Sequence, residues 1–345
     1  MPAHAILLSL RMFLRGRLTL WVALVATVLS CTRRSVPEAD ARPVAAPVQA
    51  KEPTRLRVAV VSDLNGAYGS TVYGSDVHQA VQALVTQVRP NIVLITGDMV
   101  AGQQANLRYA DMWKSFHTAV TEPLSQAGIP VAPAPGNHDA SGYAPFAAER
   151  AEYVRQWSHH IPSVTFVDRS AYPLRYSFEL DRVFFLALDA TTPGQLDAAQ
   201  RAWAEAQLSA ATEPVKIGYG HLPLHPVALG RVGEVLADFD LEATFAQHSL
   251  TAYLSGHHHA YYPGAAAGFR QVAMPCLGGG PRPLVGTATK SSPKALVVID
   301  IERDRITSVD ALEAPSYTRP IDRKRLPERI LHGRHALVRD DLAGL

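Results

Sequence analysis

The chain has 345 residues, 47% hydrophobic and 19% charged, which is enough apolar content for a large core and excludes disorder throughout. Its formal net charge of +2 originates in the first 30 residues, which hold Arg11, Arg15 and Arg17 and no acid. The remainder carries 30 basic against 31 acidic residues, a net of −1, so the charge implies no nucleic-acid partner.

The basic stretch ends at Arg17, and the apolar run Leu18 to Leu29 is shorter than the roughly 20 residues a spanning helix needs. Residues 1–30 therefore read as a secretory signal. Val28-Leu29-Ser30-Cys31 resembles a bacterial lipoprotein box, which implies a lipidated Cys31 as mature N-terminus; an uncleaved anchor or another cleavage site are the alternatives. The expected location is the periplasm or the cell-envelope membrane, with the lipid as the membrane contact. Cys276 then lacks a disulfide partner and reads as a small buried apolar residue. Residues 31–55, rich in Pro, Ala and charge, read as a linker.

From residue 56 strands alternate with helices. LRVAVVSD (56–63) and NIVLITGD (91–98) read as strands buried on both faces, VHQAVQALVTQV as an amphipathic helix, and about 105–127 as a long helix. IPVAPAPGNHD ends a third strand in a turn; LRYSFEL and RVFFLALDA suit a hairpin around Asp181; LDAAQRAWAEAQLSAA is helical. VKIGYGH and LTAYLSGHHH are further strands, and residues 294–312 form a last hairpin. This order predicts an α/β domain over 56–318 with helices covering a sheet pair, followed by a charged peripheral tail at 319–345.

The chemistry-bearing residues share one placement, directly after buried apolar strands: Asp63, Asp98, Asn137-His138-Asp139, His221 and the run His257-His258-His259. Ligands in open α/β sheets gather beyond the carboxyl ends of strands, so these clusters can converge on one crevice. Aspartate, asparagine and histidine together suit Mn, Fe or Zn rather than a cysteine-rich structural zinc site. They exceed what one tetrahedral ion requires and match a two-metal centre with a shared carboxylate.

In order, the blocks SDLN (62–65), GDMV (97–100), GNHD (136–139), GH (220–221) and GHHH (256–259) resemble those of the calcineurin-like metallophosphoesterase superfamily, over about residues 56–312. The resemblance implies a four-layer α/β/β/α sandwich and two divalent or mixed-valence ions (Mn, Fe or Zn). Asp98 would bridge the ions, Asp63 and His259 would bind the first, and Asn137, His221 and His257 the second. His138 would protonate the leaving oxygen while a hydroxide held between the ions attacks phosphorus, hydrolysing a phosphomonoester or phosphodiester of a small molecule or lipid. The chain departs from the family pattern at Asn65, where most members carry histidine, and at Ala101, where the purple acid phosphatase branch carries tyrosine. Asn65 could coordinate through its amide oxygen and weaken the first site. The alternative is a non-catalytic metal-binding scaffold lipoprotein on the same fold. A zinc peptidase is disfavoured, since no H-E-x-x-H helix occurs.

The other polar residues carry weaker expectations. Asp189 reads as a cap or turn former, His225 as a pocket-lip residue, and His78, His117, His159, His160 and His248 as structural or surface residues. Tyr68 and Tyr73 border the substrate or pack the loop after Asp63. Tyr261 and Tyr262 are weak candidates for stacking on a substrate ring, and the glycine-rich 277–284 stretch for approaching phosphate. If the histidine run is extended, alternate side chains share a face, so His257 and His259 point into the crevice and His258 away.

Overall fold

The computed structural model describes residues 55–287 and 290–345. The expected signal, Cys31 and all of the linker except Arg55 lie outside the described residues. The strands are β1 (Arg55–Val61), β2 (Ile92–Ile95), β3 (Val131–Pro133), β4 (Thr165–Ala171), β5 (Arg175–Leu180), β6 (Val183–Ala187), β7 (Val215–Gly220), β8 (Ala252–Ser255), β9 (Tyr262–Ala266), β10 (Phe269–Ala273), β11 (Ala295–Glu302), β12 (Arg305–Glu313), β13 (Arg329–His332) and β14 (His335–Arg339). The α-helices are α1 (Ser75–Ala83), α2 (Tyr109–Phe116), α3 (Glu122–Gln126), α4 (Asn137–Ala140), α5 (Ala147–Trp157), α6 (Ala198–Ala210) and α7 (Phe239–Gln247).

Two sheets form, with strand orders β12-β11-β1-β2-β3 and β13-β14-β9-β10-β8-β7-β6-β5-β4. Period-2 alternation in β1 and β2 sends Leu56, Val58, Val60, Ile92 and Leu94 into one core and Ala59, Val61, Val93 and Ile95 into another. The first core lies between the sheets, where those residues meet Phe178, Phe185, Ile217 and Leu254. The second lies under Val77 of α1, Trp113 of α2 and Tyr153 of α5. On the far side of the larger sheet, Leu208 of α6 and Phe245 of α7 pack on Leu186 and Tyr253. The result is the expected four-layer α/β/β/α sandwich. It explains why the central strands are apolar on both faces.

Two hairpins follow the sequence closely. Asp181 and Arg182 join β5 to β6, and Arg303 and Asp304 join β11 to β12; all four have positive φ, between 46° and 66°. This is the backbone of a type I′ turn, whose twist matches that of the flanking strands. The long helix expected from about residue 105 begins at Tyr109 and widens into a π-turn at His117–Thr121 before α3.

The tail at 319–345 is a correction. It supplies β13 and β14, and Val338 and Arg339 pair with Ala265 and Gly264 of β9. Ile330 and Leu337 are buried against Val227 and Tyr262. Charged residues on the exposed positions masked the strand pattern, because only one face of this hairpin is apolar.

Candidate metal centre

Strands β1, β2 and β3 run parallel in one sheet and β6, β7 and β8 in the other. Their carboxyl ends deliver the polar blocks to one place. Asp63, Asp98, His257 and His259 all sit in the left-handed region, at φ 50°, 56°, 62° and 51°. Each such non-glycine residue costs about 1 kcal/mol or more, a strain the packed strand ends must hold. The histidine run is therefore not an extended segment with alternating faces; two left-handed turns aim His257 and His259 separately.

Glycines make the convergence possible. Gly97 has φ +95°, and a Cβ there would lie 2.5 Å from His221 Nδ1. A Cβ on Gly136 would collide with the backbone nitrogen and Oδ1 of Asp98.

Among the described residues, two groups of side chains could each hold a metal ion: Asp98, His221 and His257, and Asp63, Asp98 and His259. Asp98 belongs to both. In the first group, His221 Nε2 lies 2.9 Å from Asn137 Oδ1, 3.1 Å from His257 Nδ1 and 3.3 Å from Asp98 Oδ2. Both rings are committed behind. His221 Nδ1 donates to Thr96 O at 2.8 Å, and His257 Nε2 lies 2.8 Å from a Glu234 carboxylate oxygen. Neutral rings held this way turn two lone pairs toward each other and toward two oxygens, which only a cation, proton or metal, can satisfy.

In the second group His259 Nδ1 donates to Gly280 O at 3.0 Å, leaving Nε2 3.0 Å from Asp63 Oδ1. That oxygen is buried without a directed hydrogen bond. Oδ2 of the same carboxylate is occupied by Ser62 Oγ at 2.6 Å and His257 N at 3.1 Å.

The electrostatics agree with a cation-seeking centre. Burial alone would depress His221 and His259, but the charge of Asp98 pushes His221 up to about 9 and that of Asp63 pushes His259 up to about 11. Burial would raise Asp98, yet His221 and His138 hold it well below the usual carboxylate range. His257 is lowered by burial, which its hydrogen bond to Glu234 opposes.

His138 lines a cavity of about 370 Å³ with Asn65, Tyr68, Asp98, Arg231 and His257. Its Nδ1 donates to Gly102 O at 3.0 Å, so Nε2 is the atom left for chemistry. The Tyr68 ring stands 5.3 Å from the His138 ring, whereas Tyr73 is buried and donates to Met99 O. Asn65 Nδ2 donates to Val100 O at 3.3 Å. A larger cavity of about 720 Å³ beside α1 and α2 is lined by Tyr73 and His78 but by none of the candidate metal ligands and not by His138.

Several weaker expectations resolve differently. His258 is fully buried: its Nδ1 accepts from Val227 N and Ala228 N, and Nε2 donates to Glu234 O. His225 is buried beside Glu242 and His335 rather than at a lip. Tyr261 and Tyr262 are core residues bonded to Val309 O and Pro327 O, unable to stack on a substrate. Asp189 pairs with Arg150 instead of capping a helix. In the glycine-rich stretch, Gly278 N and Gly279 N donate to Asp63 O and Asn65 O, closing one wall of the site. Cys276 is buried, as expected, and has no disulfide partner among the described residues.

Sequence reasoning missed Glu234 and Gln103, and it placed Asp139 in the strand-end cluster without a role. Asp139 accepts from Met99 N, Val100 N and Gly136 N, tying the GD and GNHD blocks together. Its place inside GNHD was the available signal; Glu234 and Gln103 stand in no motif.

A two-sheet α/β sandwich with histidine, aspartate and asparagine gathered at the strand ends defines the metallophosphoesterase fold class. The calcineurin-like phosphoesterase model matches residues 56–261, and the chain belongs to that family. Solved structures share the fold. The purple acid phosphatase PPD1 of yellow lupin (Lupinus luteus) aligns with TM-score 0.56 at 18% identity, over 78% of this chain and 53% of that one. PhoD aligns with TM-score 0.52 at 11% identity, over 72% and 64% of the two chains. GAP50, the anchor in the inner membrane complex of Plasmodium, aligns with TM-score 0.53 at 13% identity, over 77% and 86%. The chain thus spans about half of the lupin protein and under two thirds of PhoD. No curated protein matches it by sequence.

Proposed function

We propose that the chain hydrolyses a phosphomonoester or phosphodiester at a centre of two divalent or mixed-valence ions, Mn, Fe or Zn. The observation that carries this reading is the ring of acceptors around His221 Nε2, where Asn137 Oδ1, His257 Nδ1 and Asp98 Oδ2 lie within 2.9 to 3.3 Å. Such spacings suit ligand atoms about 2.0–2.2 Å from a common cation. Asp98 would serve both ions, Asp63 and His259 the first, and Asn137, His221 and His257 the second. Asn65 lines the same cavity as His138 with its Nδ2 held by Val100 O, and its amide oxygen would add a weak neutral donor to the first ion. When bound, the ions activate water and neutralise charge on the phosphoryl oxygens.

His138 performs the proton work of the chain itself. With Nδ1–H fixed on Gly102 O, a protonated Nε2 faces the cavity and delivers its proton to the departing oxygen. Arg231 and Tyr68 flank the same cavity and frame the ester. Residues 1–30 direct export, Cys31 carries the lipid anchor, and residues 31–55 hold the domain off the membrane; the substrate is a phosphorylated small molecule or lipid.

A non-catalytic scaffold is the second reading, favoured by Asn65 in place of a stronger ligand and by the fold shared with an anchor protein. The oriented His138 speaks against it, since holding metal does not require that ring. Hydrolysis of a chromogenic aryl phosphate or diester with added Mn decides between them. Activity that collapses in His138→Ala and Asp98→Ala supports the enzyme; wild-type turnover no better than either variant removes it.

A further inference from the structure

Gln103 belongs to none of the motifs, yet it reaches one candidate ligand from behind. Asn137 Nδ2 donates to Gln103 Oε1 at 2.9 Å, and Gln103 Nε2 donates to Ser141 Oγ at 3.4 Å. The backbone nitrogen of Gln103 donates to a carboxylate oxygen of the fully buried Glu149. Gln103 itself sits at φ 64°. A glutamine rarely adopts that backbone, so the Glu149 contact holds it where its side chain meets Asn137.

The consequence concerns which end of an amide faces the metal centre. An asparagine amide has an acceptor end and a donor end of nearly equal shape, and only the oxygen can serve a cation. With its Nε2 turned to Ser141 Oγ, Gln103 presents to Asn137 only Oε1, which accepts and cannot donate, so it selects Nδ2 of Asn137 and leaves Oδ1 2.9 Å from His221 Nε2. With the amide reversed, two oxygens would face each other at Gln103 and an N–H would point into the ligand ring. The neighbouring Gly102 acts in parallel, since its carbonyl fixes the Nδ1 proton of His138.

We infer that Gln103 is a positioning residue that holds the Asn137 amide with its oxygen toward the second ion, an inference that rests on the metal-centre reading above. The test is calorimetric titration of Mn²⁺ into the metal-stripped full chain, with Asn137→Ala marking the affinity class to which Asn137 contributes. Gln103→Leu should weaken that class about tenfold or more while leaving the other class unchanged. Gln103→Glu keeps the acceptor and should restore affinity to within about threefold of wild type, a rescue that a merely structural role would not give. Wild-type binding by Gln103→Leu overturns the inference, as does equal weakening of both classes in the two variants with a lowered Tm. A wild-type chain that binds no metal overturns the metal-centre reading, and the inference with it; two tight classes insensitive to Gln103→Leu sink the inference alone.

Discussion

Glu234 and His257 are joined across the loop after β7: a carboxylate oxygen of Glu234 lies 2.8 Å from His257 Nε2, while Nδ1 of the same ring faces His221 at 3.1 Å. Carboxylates in this position fix the ring and raise its basicity toward a metal. His257 in turn holds the Glu234 carboxyl down at about 2. Glu234→Ala should therefore lower metal affinity about tenfold, and Glu234→Gln should lose less. Equilibrium dialysis with Zn²⁺ reads this directly; unchanged affinity in Glu234→Ala would refute it.

Asp98 and Asp63 should differ in metal stoichiometry. Asp98 stands in both candidate groups and Asp63 in one. Asp98→Ala should purify without metal, whereas Asp63→Ala should retain the ion beside His221. Elemental analysis of the two proteins distinguishes the cases, and two ions retained in Asp98→Ala would exclude a bridging role.

His258 should matter for stability, not for metal. Its ring accepts from two buried backbone N–H groups. Stranding a buried donor costs about 1–3 kcal/mol, so His258→Ala should lower Tm by roughly 5 °C or more. Its metal content should survive, while His257→Ala and His259→Ala each lose an ion. Equal metal loss from all three would contradict the geometry.

The pH dependence has a definite sign. In the metal-free protein His221 and His259 are raised to about 9 and about 11, above an unfolded value of about 6.5. Their contribution to stability is full below pH 6.5 or so and is lost as pH rises through about 9 and then about 11. Melting temperature in EDTA should fall over that range. Metal loading expels these protons, so apparent affinity should climb with pH up to about 9 and less steeply from there to about 11, and calorimetry at pH 7 in buffers of different ionisation heat should register about two protons released. A pH-independent affinity would mean that the rings bind metal without giving up a proton.

Removal of residues 327–345 should destabilise the domain rather than trim a loose end. It uncovers the β9 edge and removes Ile330 and Leu337 from their cluster. Each buried aliphatic side chain is worth roughly 1.5–3 kcal/mol, and an open edge strand invites association. A lowered Tm with larger particles in light scattering is the expected result; unchanged Tm and particle size would show the hairpin to be dispensable.

The sequence by itself determined the central strands, the presence of the two hairpins and the strand-end position of every candidate ligand. These are legible because apolar period and turn chemistry are local, and because Gly-Asp, Gly-Asn-His-Asp and Gly-His-x-His keep glycine next to the ligand it must let approach. Tertiary structure decided what surrounds each ring. Thr96 behind His221, Glu234 behind His257, Gln103 behind Asn137 and Val227 against His258 lie 125, 23, 34 and 31 residues away in sequence. Hydrogen-bond partners at such separations are set by how two sheets pack and where their loops fold back, and no local pattern encodes that. The histidine run shows the division: its composition announced ligands, but left-handed turns at His257 and His259 and the buried bonds of His258 gave each ring a different task.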